Sequence, residues 1–140
     1  METLLKDPAK VKEISPLPLA FLGDGIYDLL VREYLLIKAN RPVGALNQRK
    51  VEFVCCKSQA EAFRRIMPDL SEEEIAVYKR GRNAQINTIP KNASAADYHS
   101  ATGFESLLGY LYLTGNMERI RNLFQKIVKL HEAKPLITQP

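Results

Sequence analysis

The sequence predicts an all-α fold of five to six helices around one core. Apolar residues recur at helical spacing through most of the chain. Helix-start signals stand at Ser15-Pro16, at Ser71-Glu72-Glu73-Glu74 and at Ser94 with Asp97. No stretch reads as a strand with a partner, and no repeat or linker interrupts the 140 residues. The chain therefore reads as a single domain, with its core over about residues 17–130 and peripheral segments at 1–14 and 132–140.

The elements follow in order. Residues 3–14 predict a short helix, interrupted or started at Pro8. Ser15 is placed to cap the next helix, and Pro16 suits its first position, where a missing N–H costs nothing. Behind them Leu19, Leu22, Ile26, Leu29 and Leu30 fill one face, and Leu17, Ala20, Phe21, Tyr27 and Val31 fill much of the other. A helix apolar nearly all round is expected to be buried. It ends near Ala39-Asn40, and Pro42 opens a second long helix that Pro68 stops. Within it Val51, Val54, Cys55, Ala62 and Ile66 keep helical spacing.

Ser71 and Glu74 form a capping box for a helix that turns Ile75 and Tyr78 inward and reaches Gly81. Residues 82–93 read as a loop, and Ser94 caps a further helix that is apolar on most sides. Thr114-Gly115-Asn116 is a tight break. The last helix, 117–131, puts Ile120, Leu123, Phe124, Ile127 and Leu130 on one face, and the chain is expected to fray beyond Lys134-Pro135.

Composition excludes several classes. With 46% hydrophobic and 26% charged residues the chain is globular, not disordered. Its formal charge of +4 suits an anionic partner. Cys55 and Cys56 are adjacent, cannot form an ordinary disulfide, and lack a second pair or a nearby His for a metal site; they read as small core residues in a reducing compartment. No apolar run reaches membrane-spanning length and the N-terminus has no signal-peptide core, so the expected location is the cytoplasm, away from membranes.

The chemistry lies where local propensity and composition disagree. Asp24 sits between Gly23 and Gly25 in the most apolar helix. Each glycine costs a helix about 1 kcal/mol relative to Ala, and a buried carboxylate needs a partner or a metal. Glu105 repeats the pattern, in an apolar wall of Leu107, Leu108, Leu111 and Tyr112 with Gly103 and Gly109 to either side. Small residues let helices approach closely, so the two acids are expected to converge. Two carboxylates without His or Cys suit a hard cation, Mg²⁺ above all, and phosphoryl chemistry. The alternative is that each pairs with a basic residue of a neighbouring helix. Asp28, by contrast, lies one turn from Arg32 and is expected to pair with it.

Between Glu74 and Asp97 no acid occurs, while Lys79, Arg80, Arg82 and Lys91 stand among the amides Asn83, Gln85, Asn87 and Asn92. This segment suits nucleic-acid phosphates, charge giving affinity and amides positioning. The preceding helix adds Arg49, Lys50, Lys57, Arg64 and Arg65, diluted by Glu52 and Glu61. Stacked-aromatic motifs for single strands are absent, so double-stranded RNA is the better candidate.

These residues resemble a family. F-L-G-D-G-I (Phe21 to Ile26) is similar to the ribonuclease III signature F-L-G-D-A-[VI], and T-G-F-E-S-L-L-G-Y-L-Y (Thr102 to Tyr112) resembles its second motif, D-x-x-E-A-L-x-G-A-x-Y. The short length, K-S-Q-A at Lys57, K-R-G-R-N-A at Lys79 and P-K-N at Pro90 resemble the mini-ribonuclease III branch, which has no following double-stranded-RNA-binding domain. The resemblance implies a homodimeric, Mg²⁺-dependent endoribonuclease that leaves a 5′-phosphate and a 3′-hydroxyl and matures 23S ribosomal RNA precursor, a role that leaves room for a ribosomal protein cofactor. It carries catalytic and metal-binding roles to Asp24 and Glu105. Lys57, Lys79, Arg80, Arg82, Asn83, Lys91 and Asn92 are read as the RNA-binding set. Ala20 and Thr102 stand where full-length ribonuclease III has further acids, so waters or RNA oxygens would complete the coordination. A non-catalytic RNA- or ribosome-binding protein of the same fold, and a helical protein-interaction module, are the competing readings.

Overall fold

The structure, a computed structural model, describes residues 8–86 and 88–137. After a 3-10 turn at Pro8–Glu13 come six α-helices: α1 Pro16–Lys38, α2 Val43–Val54, α3 Cys56–Ile66, α4 Glu72–Arg82, α5 Ala95–Leu113 and α6 Met117–Ala133. No strand occurs among the described residues. The first predicted helix is seen only from Pro8 onward, and Asn87 also lies outside the described residues.

Local chemistry sets the boundaries. Pro16 opens α1 behind Ser15, whose side chain makes no capping hydrogen bond. The Ser71 hydroxyl accepts from the Glu74 amide while Glu74 accepts from the Ser71 amide, closing the capping box. Ser94 Oγ accepts from the Asp97 N–H at 3.1 Å. Gly115, at φ 79°, turns the chain from α5 into α6, a conformation a side chain would oppose.

α1 and α5 form the central pair, with α4 and α3 laid against α5 and α6 closing the far side. Tyr27, Val31, Phe104, Leu107, Ile66, Ile120 and Leu123 are sealed from solvent between them. Tyr27 meets the Phe104 ring edge-on, with centroids 5.1 Å apart. Glycines set how close these helices lie. A Cβ on Gly23 would fall 1.8 Å from the Glu105 carbonyl oxygen, and one on Gly109 would fall 2.1 Å from that of Leu19. Gly25 faces open space.

Three expectations change. The long helix after Pro42 is two helices, broken at Cys55, which is extended at φ −66° and ψ 155°. No Gly or Pro marks the break; the Gln59 amide accepts its consequence by donating to the freed Val54 carbonyl at 2.9 Å. The turn lays Ser58, Gln59, Ala62, Phe63 and Ile66 inward and leaves Val51 exposed. The tail does not simply fray: Leu136 is buried, and its N–H donates to His131 Nδ1 at 3.1 Å. Finally, α1 is not buried all round. Phe21 is 84% exposed, and Leu17, Leu29, Leu36 and Ile37 are exposed with it. The chain has too few helices to cover two sides of α1.

Candidate active site

The close approach of α1 to α5 brings Asp24 and Glu105 together. Gly23 lets its helix sit on the backbone of Glu105 itself, and the next residue, Asp24, comes within hydrogen-bonding reach of the Glu105 carboxyl. Their burial reverses the sequence expectation. Asp24 is exposed at the mouth of the site, and Glu105 is the more enclosed acid. The reason is the missing cover over the Phe21 side of α1, which leaves Asp24 open to solvent.

Enclosure and its neighbour act on Glu105 in the same direction. Burial first, then the hydrogen bond and negative charge of Asp24, push the Glu105 carboxyl up to about 9. The Gln59 amide opposes them by hydrogen-bonding to the charged form. Without a cation the Glu105 carboxyl keeps its proton near neutral pH, and a divalent ion would favour its charged form. Neither acid has a salt-bridge partner among the described residues, so the basic-partner alternative has no support there.

The donor set is oxygen, which fits a hard ion such as Mg²⁺. Among the described residues no group of three or more His, Cys, Asp and Glu side chains forms around it. A small set of protein ligands is what Mg²⁺ takes when it keeps its waters. The pair opens on a cleft of about 460 Å³, walled by Phe21 and Ala20 of α1, Cys56 and Gln59 of α3, Thr102 of α5, and Gln85 and Ile86 of the loop. Ala20 and Thr102 thus face the same cleft as the acids.

The basic residues divide into free and engaged groups. Lys57, Lys79, Arg80 and Lys91 are exposed and in no ion pair among the described residues, and Asn83 and Asn92 are exposed beside them. None of these six lines the cleft; they stand on the surface outside it. Lys79, Arg80 and Arg82 form the last turn of α4 and are not part of the loop, as the reading of residues 82–93 had it for Arg82. Arg82 is half-buried, its guanidinium 5.6 Å from the centre of the Tyr78 ring and its Nε donating to Asn83 Oδ1 at 3.2 Å. Other cations serve the fold. Lys50 and Arg32 hold Asp28, whose carboxyl they keep below the usual range against the effect of burial. Arg64 and Arg65 hold Glu61, and Arg65 also donates to the carbonyls of Leu130, Lys134 and Pro135.

Sequence reasoning missed Gln59 as a residue of its own. Its signal was a long amide at helical spacing from Ala62, Phe63 and Ile66, on the inward face of α3. No described helix is long and apolar enough to cross a membrane.

The ribonuclease III domain model matches residues 17–116. Mini-ribonuclease 3 of Thermoanaerobacter sp. (strain X514) is 46% identical over 122 residues, covering 87% of this chain and 86% of that protein. Mini-ribonuclease 3 of Brevibacillus brevis is 42% identical over 133 residues, covering 95% and 97%. A crystal structure of a protein from Fusobacterium nucleatum superposes with a TM-score of 0.77 at 33% identity, covering 82% of this chain and 93% of that one. The paired acids thus lie within a domain whose match spans five of the six helices, and the chain belongs to the ribonuclease III family.

Proposed function

We propose that this endoribonuclease is a Mg²⁺-dependent homodimer that cuts double-stranded RNA with Asp24 and Glu105, in the cytoplasm, as a step in maturing 23S ribosomal RNA precursor. The observation that carries the reading is the apposition of Asp24 and Glu105 at the mouth of an open cleft, with no basic side chain neutralising them. Asp24 and Glu105 would hold the ion. When bound, Mg²⁺ supplies water activation and charge stabilisation at the scissile phosphate, for a product with a 5′-phosphate and a 3′-hydroxyl.

The other groups bind and orient. Lys57, Lys79, Arg80 and Lys91 offer unpaired charge to phosphates, and Asn83 and Asn92 offer neutral donors. Arg82 contributes from the end of α4. Gln85 and Ile86 form the loop wall of the cleft that RNA would enter. In the absence of a cation Glu105 keeps its proton at neutral pH, and holding an ion would require its release. The exposed apolar side of α1, led by Phe21, supports a twofold interface, which would set two sites against the two strands.

Incubating the protein with a long RNA duplex in Mg²⁺ and in EDTA tests this. Metal-dependent cutting is expected, and Asp24→Asn should lower it by several orders of magnitude while duplex binding stays near wild type. Tight binding with no cutting in Mg²⁺ would turn the reading into that of a non-catalytic RNA-binding protein.

A further inference from the structure

We propose that Gln59 is a positioning residue: it fixes the Glu105 carboxylate toward the cation and ties it to the break between α2 and α3. The inference rests on the reading of Asp24 and Glu105 as the Mg²⁺ site.

Gln59 is 3% exposed, on the face of α3 that packs against α5. Its neighbours on that face are Ser58, Ala62, Phe63 and Ile66, so it is the one long polar side chain there. The amide nitrogen has two hydrogens. One goes to the Val54 carbonyl at 2.9 Å, which the break at Cys55 has released from the helix ladder. The other is available to the Glu105 carboxyl, which lines the same cleft as Gln59 and whose charged form the amide favours.

Those two acceptors also fix which way round the amide sits. Turned over, its oxygen would face a carbonyl and a carboxylate. In the observed orientation Gln59 Oε1 is buried without a hydrogen-bond partner. A buried acceptor left unpaired is unfavourable and offsets part of what the bond to Val54 contributes. Anchoring the break accounts for one hydrogen of the amide; the second is left for Glu105, which lines the same cleft. Partners of this kind orient metal-binding side chains and tune their affinity. The break at Cys55 gains a role as well, since it aims Gln59 at α5 and supplies the carbonyl that anchors it.

The test uses Gln59→Met and Gln59→Asn in the full chain. Binding of Mn²⁺, a spectroscopic stand-in for Mg²⁺, is followed by electron paramagnetic resonance, beside melting, duplex binding in EDTA, and the Mg²⁺ concentration giving half-maximal cleavage. Gln59→Met leaves the Val54 carbonyl without this donor and should melt somewhat below the wild-type temperature; it should still bind duplex normally, yet bind Mn²⁺ and require Mg²⁺ at roughly 10- to 100-fold higher concentration. Gln59→Asn keeps an amide too short to span both acceptors and should show the same metal defect; it carries the comparison should the Met variant not fold. Wild-type metal affinity in either folded variant overturns the proposal, including when melting falls, since Gln59 would then be only structural. Asp24→Asn is measured alongside. If it binds Mn²⁺ like wild type, the carboxylate site itself is wrong; if it loses Mn²⁺ while the Gln59 variants keep it, only the role of Gln59 is wrong.

Discussion

Gly23→Ala adds one methyl group where α1 lies on α5. The new Cβ would meet the Glu105 carbonyl oxygen at 1.8 Å, the carbonyl carbon at 2.6 Å and the Cα at 3.0 Å. All three atoms are backbone, so no side-chain rotation relieves the clash. Restoring ordinary contact requires the helices to separate by about 1.6 Å, in a core packed as densely as a crystal. The contact of Gly109 with Leu19, one turn before Gly23 on α1, resists that separation. Overpacking of this kind costs roughly 1–3 kcal/mol, and the absence of any flexible neighbour puts this case at the upper end. Replacing Gly by Ala in a helix returns about 1 kcal/mol. The net loss is then about 2 kcal/mol, which at common urea sensitivities lowers the unfolding midpoint by about 1 M. Activity should fall further. Asp24 is the next residue, and misplacing a reacting group by about 1 Å can cost 100-fold. The assay is urea unfolding at one protein concentration together with duplex cleavage under folding conditions. Gly44→Ala, where a Cβ meets nothing within 4 Å, is the control and should hold or raise the midpoint. A Gly23→Ala protein with wild-type midpoint and cleavage rate would refute the argument that this approach builds the site.

Four further outcomes are expected. In EDTA, stability should fall as pH rises from about 4.5 to about 9, because folded Glu105 keeps a proton that the unfolded chain has released; melting curves of Glu105→Gln should lose that slope. For the same reason cation uptake near neutral pH should release a proton, seen as calorimetric heats that change with the buffer's ionisation enthalpy. Arg80→Ala should weaken duplex binding across sequences and reduce the salt slope by about one, with melting unchanged, whereas Arg82→Ala should also lose roughly 0.5–1 kcal/mol of stability with its contact to Tyr78. Phe21→Glu should shift light scattering toward a monomer without lowering protomer melting; a dimer that persists would remove Phe21 from the interface.

The helices were legible in the sequence because what starts and stops them is local. Ser71 and Glu74 are three residues apart, and the hydrogen bonds between them form wherever the rest of the chain lies. Gly115 and the face of α6 are equally local. The pairing of Asp24 with Glu105 was legible for a different reason. A glycine flanking each acid makes sense only if two helices touch there, and Gly23 does lie against Glu105. Gly25 makes no such contact in the protomer.

What only the tertiary structure decided depends on distance between segments far apart in the chain. Nothing local breaks the helix at Cys55; the break exists because α3 must turn to lay Gln59 and Ala62 on α5. Asp24 looked buried because its helix is apolar on two sides, but burial needs a neighbour on each side, and one protomer supplies it on one. Lys50 looked as available to RNA as Lys57 does, until the fold brought Asp28 to it; Arg64 and Arg65 pair with Glu61 within one turn of their own helix, a pairing the sequence already offered. The charge of Glu105 follows the same rule. Its sequence neighbours say only that it is an acid in an apolar wall, while its proton is held by desolvation and by the carboxylate of Asp24, 81 residues earlier in the chain. Hydrogen bonds that cap a helix act over a few residues and are written in order; desolvation and charge act through space, and the sequence does not contain the distances.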